Sequence, residues 1–230
     1  MTAPVPAPAA GPALDWRDGA PVSRRHGESY YGAADALAES RHVFLAGNDL
    51  PARFGPGFAI AEIGFGTGLN ALAAAEAWTR SGQPGVLTYT AFEIAPLRSE
   101  DMARALAPWP ELTHLADALV TAWAAGRRRI AVTGLTLDVI EGDARETVPA
   151  WSGRADAWFL DGFSPARNPE LWEAGLLAAL AQRTTPNGTF ATFTAAGATR
   201  RALAAAGFVV ERVSGYGGKR HMTRGRRALP

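Results

Sequence analysis

A glycine-rich turn at residues 62–68 reads Glu62-Ile63-Gly64-Phe65-Gly66-Thr67-Gly68. It follows an apolar run over residues 58–63, which predicts a strand, and precedes an alanine-rich run over residues 69–78, which predicts a helix. Glycines at such a junction let the backbone approach a ligand and place amide donors at the N-terminus of the helix. A tight connection without any ligand has the same pattern, so the turn alone leaves both interpretations open.

The chain around this turn alternates between strand and helix patterns. Further strands are predicted over residues 87–93, 157–160 and 189–194, and helices over 97–106, 112–125, 169–180 and 195–206. Residues 130–140 predict a hairpin or two short strands, and residues 209–213 and 221–223 predict a closing pair of strands. The alternation predicts a Rossmann-like α/β fold, with a mostly parallel sheet, helices on both faces and an antiparallel C-terminal strand pair.

The composition limits the possible classes of function. A length of 230 residues is most simply one domain, expected over residues 14–230 behind a flexible Pro/Ala-rich tail over residues 1–13. The chain has no cysteine, which excludes disulfides, thiolate zinc sites and cysteine nucleophiles. Its four histidines form no i, i+4 pair, so we expect no metal site. No signal peptide or membrane-spanning run is evident, so we expect a soluble, cytoplasmic protein.

Positive charge is concentrated near the C-terminus. Residues 200–227 contain eight Lys or Arg residues and one acidic residue, a net charge of +7, although the whole chain carries +1. Such asymmetry favours a polyanionic partner facing this segment. The alternative is a compositional bias that places arginines without any partner, because the chain has 22 arginines and one lysine.

Acidic residues follow several of the predicted strands. Glu93 ends the second strand, Asp143 follows the hairpin and Asp161 ends the next buried run. Open α/β sheets bind ligands at the carboxyl ends of their strands, so these residues and Glu62 are expected to converge on one crevice. Helix caps or solvated turns explain any one of the acids, but the four together favour a binding site.

The spacing of the glycines distinguishes two kinds of nucleotide site. A dinucleotide fingerprint would have its third glycine at position 69, which is Leu69. The spacing E-x-G-x-G-x-G instead resembles the first motif of S-adenosylmethionine (SAM) methyltransferases. This resemblance implies that Glu93 accepts hydrogen bonds from both ribose hydroxyls, that Asp143 contacts the adenine amino group, and that Asp161 lies beside the transferred methyl group.

The loop after Asp161 reads Ser164-Pro165-Ala166-Arg167-Asn168-Pro169. Its prolines fix φ and stiffen the loop, which suits a rim that holds an acceptor in line with a methyl group. The loop is also an ordinary start of a helix, with Asn168 as N-cap and Pro169 in the first turn. Both interpretations can hold together.

Longer motifs resemble the MnmC methyltransferase family of bacterial tRNA modification, whose members also occur alone as MnmD. The most specific motif is Asp161-Gly162-Phe163-Ser164-Pro165-Ala166-Arg167-Asn168-Pro169, and residues 21–24, 41–45, 191–194 and 215–220 extend the similarity. The resemblance covers residues 14–224 and implies a SAM-dependent methyltransferase fold. It also implies transfer of a methyl group from SAM to the primary amine of 5-aminomethyl-2-thiouridine at the wobble position of tRNA.

The length bears on how that amine is supplied. The chain ends at Pro230, without room for the flavin-dependent oxidase domain that larger members of the family carry. We therefore expect a separate oxidase to supply the amine substrate. The absence of this domain does not weaken the transferase interpretation.

Candidate site residues follow from these motifs and from the expected substrate. Asp161 is the catalytic candidate, which binds and orients the amine and accepts its proton. The cofactor-binding candidates are Glu62, Gly64, Phe65, Gly66, Thr67, Gly68, Asn70, Glu93, Asp143 and Asp161. The substrate-binding candidates are Tyr30, Tyr31 and Phe163, which stack on the uridine, Arg167 and Asn168 at the rim, and Lys219 and Arg220 at tRNA phosphates. Core or rim packing is the alternative for each tyrosine.

Two other functions stay open at this point. A small-molecule methyltransferase or an aminopropyltransferase-like enzyme would share the crevice acids but would not need the basic C-terminal segment, so affinity for tRNA discriminates. A non-catalytic RNA-binding module would have a degenerate pocket, and a titration with SAM discriminates.

Overall fold

A computed structural model describes residues 11–32 and 35–228 of the chain. The first ten residues of the predicted tail and the last two residues of the predicted domain lie outside the described residues. Residues 11–32 contain a small antiparallel sheet formed by β1 (Leu14–Arg17), β2 (Ala20–Ser23) and β3 (Glu28–Ser29). This sheet is not predicted from the sequence, because strands of two to four residues are too short for an alternating pattern to stand out.

Within residues 35–228 the structure has a second sheet, of eight strands. They are β4 (Ala59–Ile63), β5 (Leu87–Glu93), β6 (Arg129–Val132), β7 (Leu135–Glu141), β8 (Ala155–Leu160), β9 (Thr184–Thr192), β10 (Phe208–Ser214) and β11 (His221–Arg227), in the spatial order β10-β11-β9-β8-β4-β5-β7-β6. Neighbours from β9 to β7 pair in parallel, whereas β6 is antiparallel to β7, and β11 is antiparallel to both β9 and β10. The predicted parallel sheet, hairpin and closing antiparallel pair are confirmed.

Helices cover this sheet. The described residues include α1 (Ala36–Ser40), α2 (Leu69–Ser81), α3 (Ser99–Leu106), α4 (Thr113–Ala124), α5 (Ala144–Ala150), α6 (Ala174–Gln182) and α7 (Gly197–Ala205). A π-helical turn (Arg41–Leu45) and a 3-10 turn (Ala46–Asn48) continue α1, and 3-10 turns precede α4 (Pro110–Leu112) and α6 (Pro169–Trp172). In the described ranges, none of the helices has the length and apolar character that crossing a bilayer requires.

One predicted helix is divided in the structure. The sequence predicts a helix over residues 169–180, but a 3-10 turn ends at Trp172 and α6 begins only after Glu173, whose ψ of 144° is extended. The Trp172 indole N–H donates to the Phe163 carbonyl oxygen at 3.0 Å, which ties the short turn to the preceding loop. Asn168 occupies the N-cap position of this turn and Pro169 lies in its first turn, as predicted, but the Asn168 side chain makes no capping hydrogen bond.

Strand β8 shows why the sheet is buried on both faces. Its consecutive residues Trp158 and Phe159 point to opposite faces, and both are fully buried. Trp158 stacks with Phe92 on one face, and Phe159 packs against Phe44 and Tyr89 on the other. A strand covered on both faces reads as a continuous apolar run, which is the pattern that the sequence shows here.

Gly225 provides a test of the packing between β9, β10 and β11. A Cβ at this position would overlap the Phe190 ring and lie 2.6 Å from the Val209 carbonyl oxygen. We expect Gly225→Ala to lower the free energy of unfolding by about 1–3 kcal/mol, the usual effect of overpacking. Urea unfolding midpoints measure this change.

The matched control is Gly175→Ala. Gly175 lies in α6 and a Cβ there would meet nothing within 4 Å. Alanine is favoured over glycine inside a helix by roughly 0.5–1 kcal/mol, so this variant should be slightly more stable than the wild type. Equal midpoints for the two variants would contradict the packing described for Gly225.

Candidate active site

The carboxyl ends of β4, β5, β7 and β8 lie at one edge of the sheet and surround a cavity of about 360 Å³. Such an edge is where open α/β sheets bind their ligands. Of the four predicted acids, Glu93, Asp143 and Asp161 line the cavity. Glu62 lies behind its wall, fully buried.

The glycine turn requires glycine at the positions that the sequence singles out. Gly64, Gly66 and Gly68 have φ angles of +85°, +54° and +84°, in the left-handed region. A Cβ on Gly64 would also overlap the Asp161 carbonyl oxygen, because the turn approaches the end of β8 closely. Phe65 and the Thr67 side chain in the same turn are buried. Gly64, Phe65, Gly66 and Thr67 line the cavity, whereas Gly68 lies outside its wall, and contact of these residues with a cofactor stays a prediction.

Glu93 fastens the end of β5 to this turn. Its Oε2 accepts a hydrogen bond from the Gly66 N–H at 3.0 Å, and its Oε1 accepts one from the Ala95 N–H at 2.8 Å. Burial raises the pKa of Glu93, and these backbone N–H groups partly offset the rise. Each oxygen keeps further acceptor capacity, so binding of ribose hydroxyls stays a prediction consistent with this position.

The Asn70 side-chain amide joins the buried Glu62 carboxyl group to the Asp161 carboxyl group in the cavity wall. Its Nδ2 donates to Glu62 Oε1 at 2.7 Å and to Asp161 Oδ2 at 2.6 Å. The Ser40 hydroxyl donates in turn to Asn70 Oδ1. Asn70 lines the cavity, as the sequence predicts, and the structure shows that it also holds Asp161 in place.

Glu62 is connected to the cavity wall by its hydrogen bond with Asn70. Burial raises its pKa well above the usual range, and the negative charge of Asp161 raises it further. Its Oε2 is buried without a hydrogen-bond partner among the described residues. Direct contact of Glu62 with a cofactor stays a prediction that this packing does not favour.

No group of three His, Asp or Glu side chains in the described ranges is placed to hold a metal ion.

Asp161 lies in the cavity wall with part of its surface exposed. Burial raises its pKa to about 7, while the hydrogen bond from Asn70 and the charge of Lys219 limit the rise. A carboxyl group with this pKa binds and releases a proton near neutral pH. It is therefore suited to accept a proton from a bound ligand.

Asp143 is already engaged by its own helix. Its Oδ1 accepts from the Arg145 N–H at 2.9 Å as the N-cap of α5, and its Oδ2 pairs with the Arg145 guanidinium at 2.7 Å. The hydrogen bonds from Arg145 lower the pKa of Asp143. Both residues line the cavity, and the adenine contact stays a prediction.

The three predicted aromatic residues all line the cavity. The Tyr31 hydroxyl donates to the Ala105 carbonyl oxygen at 2.9 Å, and its ring meets Trp109 edge-on, with ring centres 5.5 Å apart. These contacts favour the packing alternative for Tyr31. Phe163 and Tyr30 meet edge-on at 5.2 Å and remain candidates for stacking on a base.

The predicted basic and polar candidates divide between the cavity and the surface. Lys219 lines the cavity, where its Nζ pairs with Glu39 Oε1 at 2.7 Å. Asn168 also lines it. Arg167 and Arg220 are exposed and lie outside the cavity wall. Contacts of these residues with tRNA stay predictions.

Part of the basic C-terminal run is structural. Arg224 pairs with Asp49 at 3.1 Å and with Glu211 at 3.0 Å, and Arg227 donates to the Thr184 carbonyl oxygen. The charge that this segment offers to a polyanion is therefore smaller than its net +7 indicates.

Several residues that line the cavity were not found from the sequence. They are Arg25, His26, Glu28, Glu39, Ser40 and Phe193. Most of them lie in the N-terminal region, where the elements are short and no periodic pattern marks them. The signals near them are the similarity over residues 21–24 and 41–45 and, for Phe193, the similarity over residues 191–194.

The chain is similar in sequence to known proteins. The profile of a family described as S-adenosyl-L-methionine-dependent methyltransferase matches residues 110–228. The tRNA 5-methylaminomethyl-2-thiouridine biosynthesis bifunctional protein MnmC of Caulobacter sp. (strain K31) is 47% identical over 227 residues, which are 93% of this chain and 38% of that protein. MnmC of Aeromonas hydrophila is 45% identical over 94% of this chain and 35% of its own length. The chain thus spans little more than a third of these relatives.

Two solved structures are similar in fold. MNMC2 from Aquifex aeolicus has a TM-score of 0.73 and 26% identity, over 98% of this chain and 73% of that one. Spermidine synthase in complex with the transition-state analogue AdoDATO has a TM-score of 0.55 and 12% identity, over 89% of this chain and 65% of that one. The second likeness shows the fold alone.

The raised pKa of Asp161 predicts a pH dependence of stability. Because its pKa rises from 3.8 to about 7 on folding, the folded state binds this proton more tightly. The resulting stability is fully present below the unfolded pKa and is lost as the pH rises through the folded pKa. We expect Asp161→Asn, which removes the charge, to reduce the loss of unfolding free energy between about pH 5 and about pH 8.

Urea unfolding at the two pH values measures this difference. The control is Asp117→Asn on the exposed face of α4, which should keep the pH dependence of the wild type. If Asp161→Asn keeps the wild-type pH dependence, the pKa of the Asp161 carboxyl group is not raised by folding.

Proposed function

Because this chain belongs to the family of S-adenosyl-L-methionine-dependent methyltransferases, we propose that it methylates the amine of 5-aminomethyl-2-thiouridine at the tRNA wobble position. The identity of 45–47% with MnmC proteins, over more than nine-tenths of the chain, is the observation that supports this substrate most. Those proteins are named for 5-methylaminomethyl-2-thiouridine, which carries one methyl group more than the aminomethyl compound. Methylation of the primary amine is the step that connects the two.

The cavity residues fit SAM. Gly64 and Gly66 line the cavity with positive φ angles, so these two positions of the turn after β4 add no side chain to the cofactor space. Glu93 at the end of β5 offers acceptors for ribose hydroxyls, and the nearby Asp161 carboxyl favours a positively charged ligand. Bound SAM supplies an electrophilic methyl group on a positively charged sulfur.

Asp161 has two tasks in this proposal. An alkyl ammonium has a pKa of about 10.4, and only its neutral form is nucleophilic. Asp161 binds the ammonium group and then accepts its proton, and the raised pKa narrows the gap between donor and acceptor to roughly three units. An ordinary aspartate would leave a gap of about six units. The burial that destabilises the Asp161 carboxylate therefore supports its role as proton acceptor.

The acceptor side is formed by aromatic and basic residues. Phe163 and Tyr30 line the cavity and would contact an unpaired base, since RNA bases that leave the stack are commonly held by aromatic faces. Lys219, Arg220 and Arg167 are candidates for phosphate contacts around the cavity mouth. The amine itself would come from an oxidase, either a separate protein or a further domain, since the relatives are bifunctional.

A small-molecule methyltransferase remains the rival on the same fold, and an aminopropyltransferase-like activity would use the same acids. The likeness to spermidine synthase concerns the fold alone and does not favour the second of these. A titration with tRNA discriminates, because tight, salt-dependent binding would favour the proposed function over the small-molecule methyltransferase and the aminopropyltransferase-like enzyme.

Glu93→Ala tests the cofactor side of the proposal. Loss of an acceptor for the ribose hydroxyls should weaken SAM binding by about tenfold to a hundredfold, since hydrogen bonds to a charged group contribute about 1.5–3 kcal/mol. Calorimetric titration measures the affinity, and the unfolding midpoint checks that the glycine turn has not collapsed. The control Glu100→Ala removes an exposed carboxylate of α3 outside the cavity. Equal SAM affinity in the Glu93→Ala variant would rule out the ribose contact.

The whole proposal is tested by transfer of labelled methyl from SAM to tRNA, followed by nucleoside mass spectrometry. We expect tRNA with a free 5-aminomethyl group to be methylated. We expect tRNA with a carboxymethylaminomethyl group to stay unchanged, because its acidic arm meets repulsion from Asp161. Conversion of the second tRNA, or of neither, would contradict the assigned substrate.

Asp161→Ala in the same assay tests the acceptor side. Single turnover at saturating SAM should fall far more than the affinity for SAM, because the lost carboxyl group contacts the amine. Asp117→Ala on α4 is the control and should keep the wild-type rate. A rate within a few-fold of the wild type would remove Asp161 from the reaction.

A further inference from the structure

The acceptor loop, residues 162–168, is only partly held by its own neighbours. The Arg167 and Asn168 N–H groups donate to the Ser164 carbonyl oxygen at 2.8 and 2.9 Å, which closes a turn. The Trp172 indole fixes the Phe163 carbonyl oxygen. These bonds leave the Ser164 N–H and the Phe163 ring to be held by residues from elsewhere in the chain.

Glu28 on β3 holds Ser164. Its Oε2 accepts hydrogen bonds from the Ser164 N–H at 2.9 Å and from the Ser164 hydroxyl at 2.8 Å, across 136 positions of sequence. Hydrogen bonds to an ionised acceptor are stronger than those between neutral groups. One carboxylate oxygen of the N-terminal sheet thus anchors the start of the loop, three residues after Asp161.

The Phe163 ring is held from the same side. The His26 ring stacks on it, with ring centres 4.5 Å apart and planes at 25°. His26 Nδ1 also lies 3.1 Å from the Arg167 carbonyl oxygen, so it can donate to the far end of the loop. Tyr30 meets the same phenyl ring edge-on. Residues 26–30 therefore fix both the backbone and the aromatic face of the loop.

We propose that Glu28 is a positioning residue for methyl transfer, which acts by holding Ser164 so that Phe163 and Asp161 face one acceptor space. This inference rests on the proposed function, because that function makes the loop the acceptor wall. An error of about 1 Å in the placement of a reacting group can slow a reaction by about a hundredfold. Pro165 within the loop and Pro169 directly after it restrict the backbone, but the orientation of the loop relative to Asp161 still depends on an external anchor.

Three variants separate positioning from stability. Glu28→Ala removes the acceptor of both hydrogen bonds, whereas Glu28→Gln keeps a side-chain oxygen for the Ser164 N–H. The control Asp15→Ala removes an exposed carboxylate of β1, in the same sheet, which pairs with Arg24 and not with the loop. Urea midpoints establish that each variant folds.

Single-turnover methylation at saturating SAM gives the first readout. We expect a fall of about tenfold to a hundredfold for Glu28→Ala, from the loss of charge-assisted hydrogen bonds. Glu28→Gln should recover most of the rate, and Asp15→Ala should match the wild type. The affinity for SAM should stay the same in all three, because Glu28 does not bind the glycine turn.

Amide hydrogen exchange of residues 163–168 gives a second readout that needs no tRNA. We expect exchange to be about tenfold faster in Glu28→Ala and close to the wild type in Glu28→Gln. Unchanged exchange in Glu28→Ala would overturn the inference. Faster exchange with an undiminished methylation rate would overturn the positioning role and leave only a structural one.

The experiments distinguish a failure of the proposed function from a failure of the inference about Glu28. If wild-type protein methylates no tRNA, the substrate assignment fails, and exchange still decides whether Glu28 holds the loop. If Glu28→Gln loses as much rate as Glu28→Ala while its exchange stays normal, the charge of Glu28 matters instead of its hydrogen bonds, which also overturns the inference.

Discussion

One side-chain amide connects the parts of the candidate site. Asn70 Nδ2 donates to both Glu62 and Asp161, and so joins the interior of β4 to the end of β8. Without this donor the buried Glu62 and the partly exposed Asp161 would lose their shared hydrogen-bond partner, and a buried polar group without a partner is destabilising. Because Asn70 lies in the first turn of α2, the same bonds fix this helix, and the glycine turn before it, relative to Asp161.

The protonation of Asp161 follows from this arrangement. Burial favours the neutral carboxyl group, whereas the Asn70 amide and the Lys219 charge favour the carboxylate, and the balance places the pKa at about 7. A fully hydrated aspartate would be a weak proton acceptor for an ammonium group. An isolated buried one would stay protonated. Lys219 is itself paired with Glu39, and the Glu39 charge raises the pKa of Asp161, which partly offsets the effect of Lys219.

The sequence predicted most of the sheet because long apolar runs and regular helices carry their own signal. The strand over residues 87–93 has the predicted bounds, and the hairpin and closing pair are present. The N-terminal sheet and the break at Glu173 were missed, because short strands and an anchored turn have no period. Among the acids, Glu62 lies behind the cavity wall, and its contact with a cofactor stays a prediction. Its side chain points to the sheet face where Asn70 and Tyr89 lie. The glycine motif alone does not show which face of the sheet a strand residue points to.

The sequence by itself determined the order of strands and helices and the chemistry at the strand ends. It also determined the glycines of the turn, because only glycine readily adopts their positive φ angles. Only the tertiary structure decided which side chains meet: Asn70 with Asp161, Glu28 with Ser164, and Glu39 with Lys219, at separations of 91, 136 and 180 positions. The physical reason is range. Periodicity and turn chemistry act between residues that are close in sequence. The hydrogen bonds that orient these side chains form only after segments distant in sequence have packed against each other.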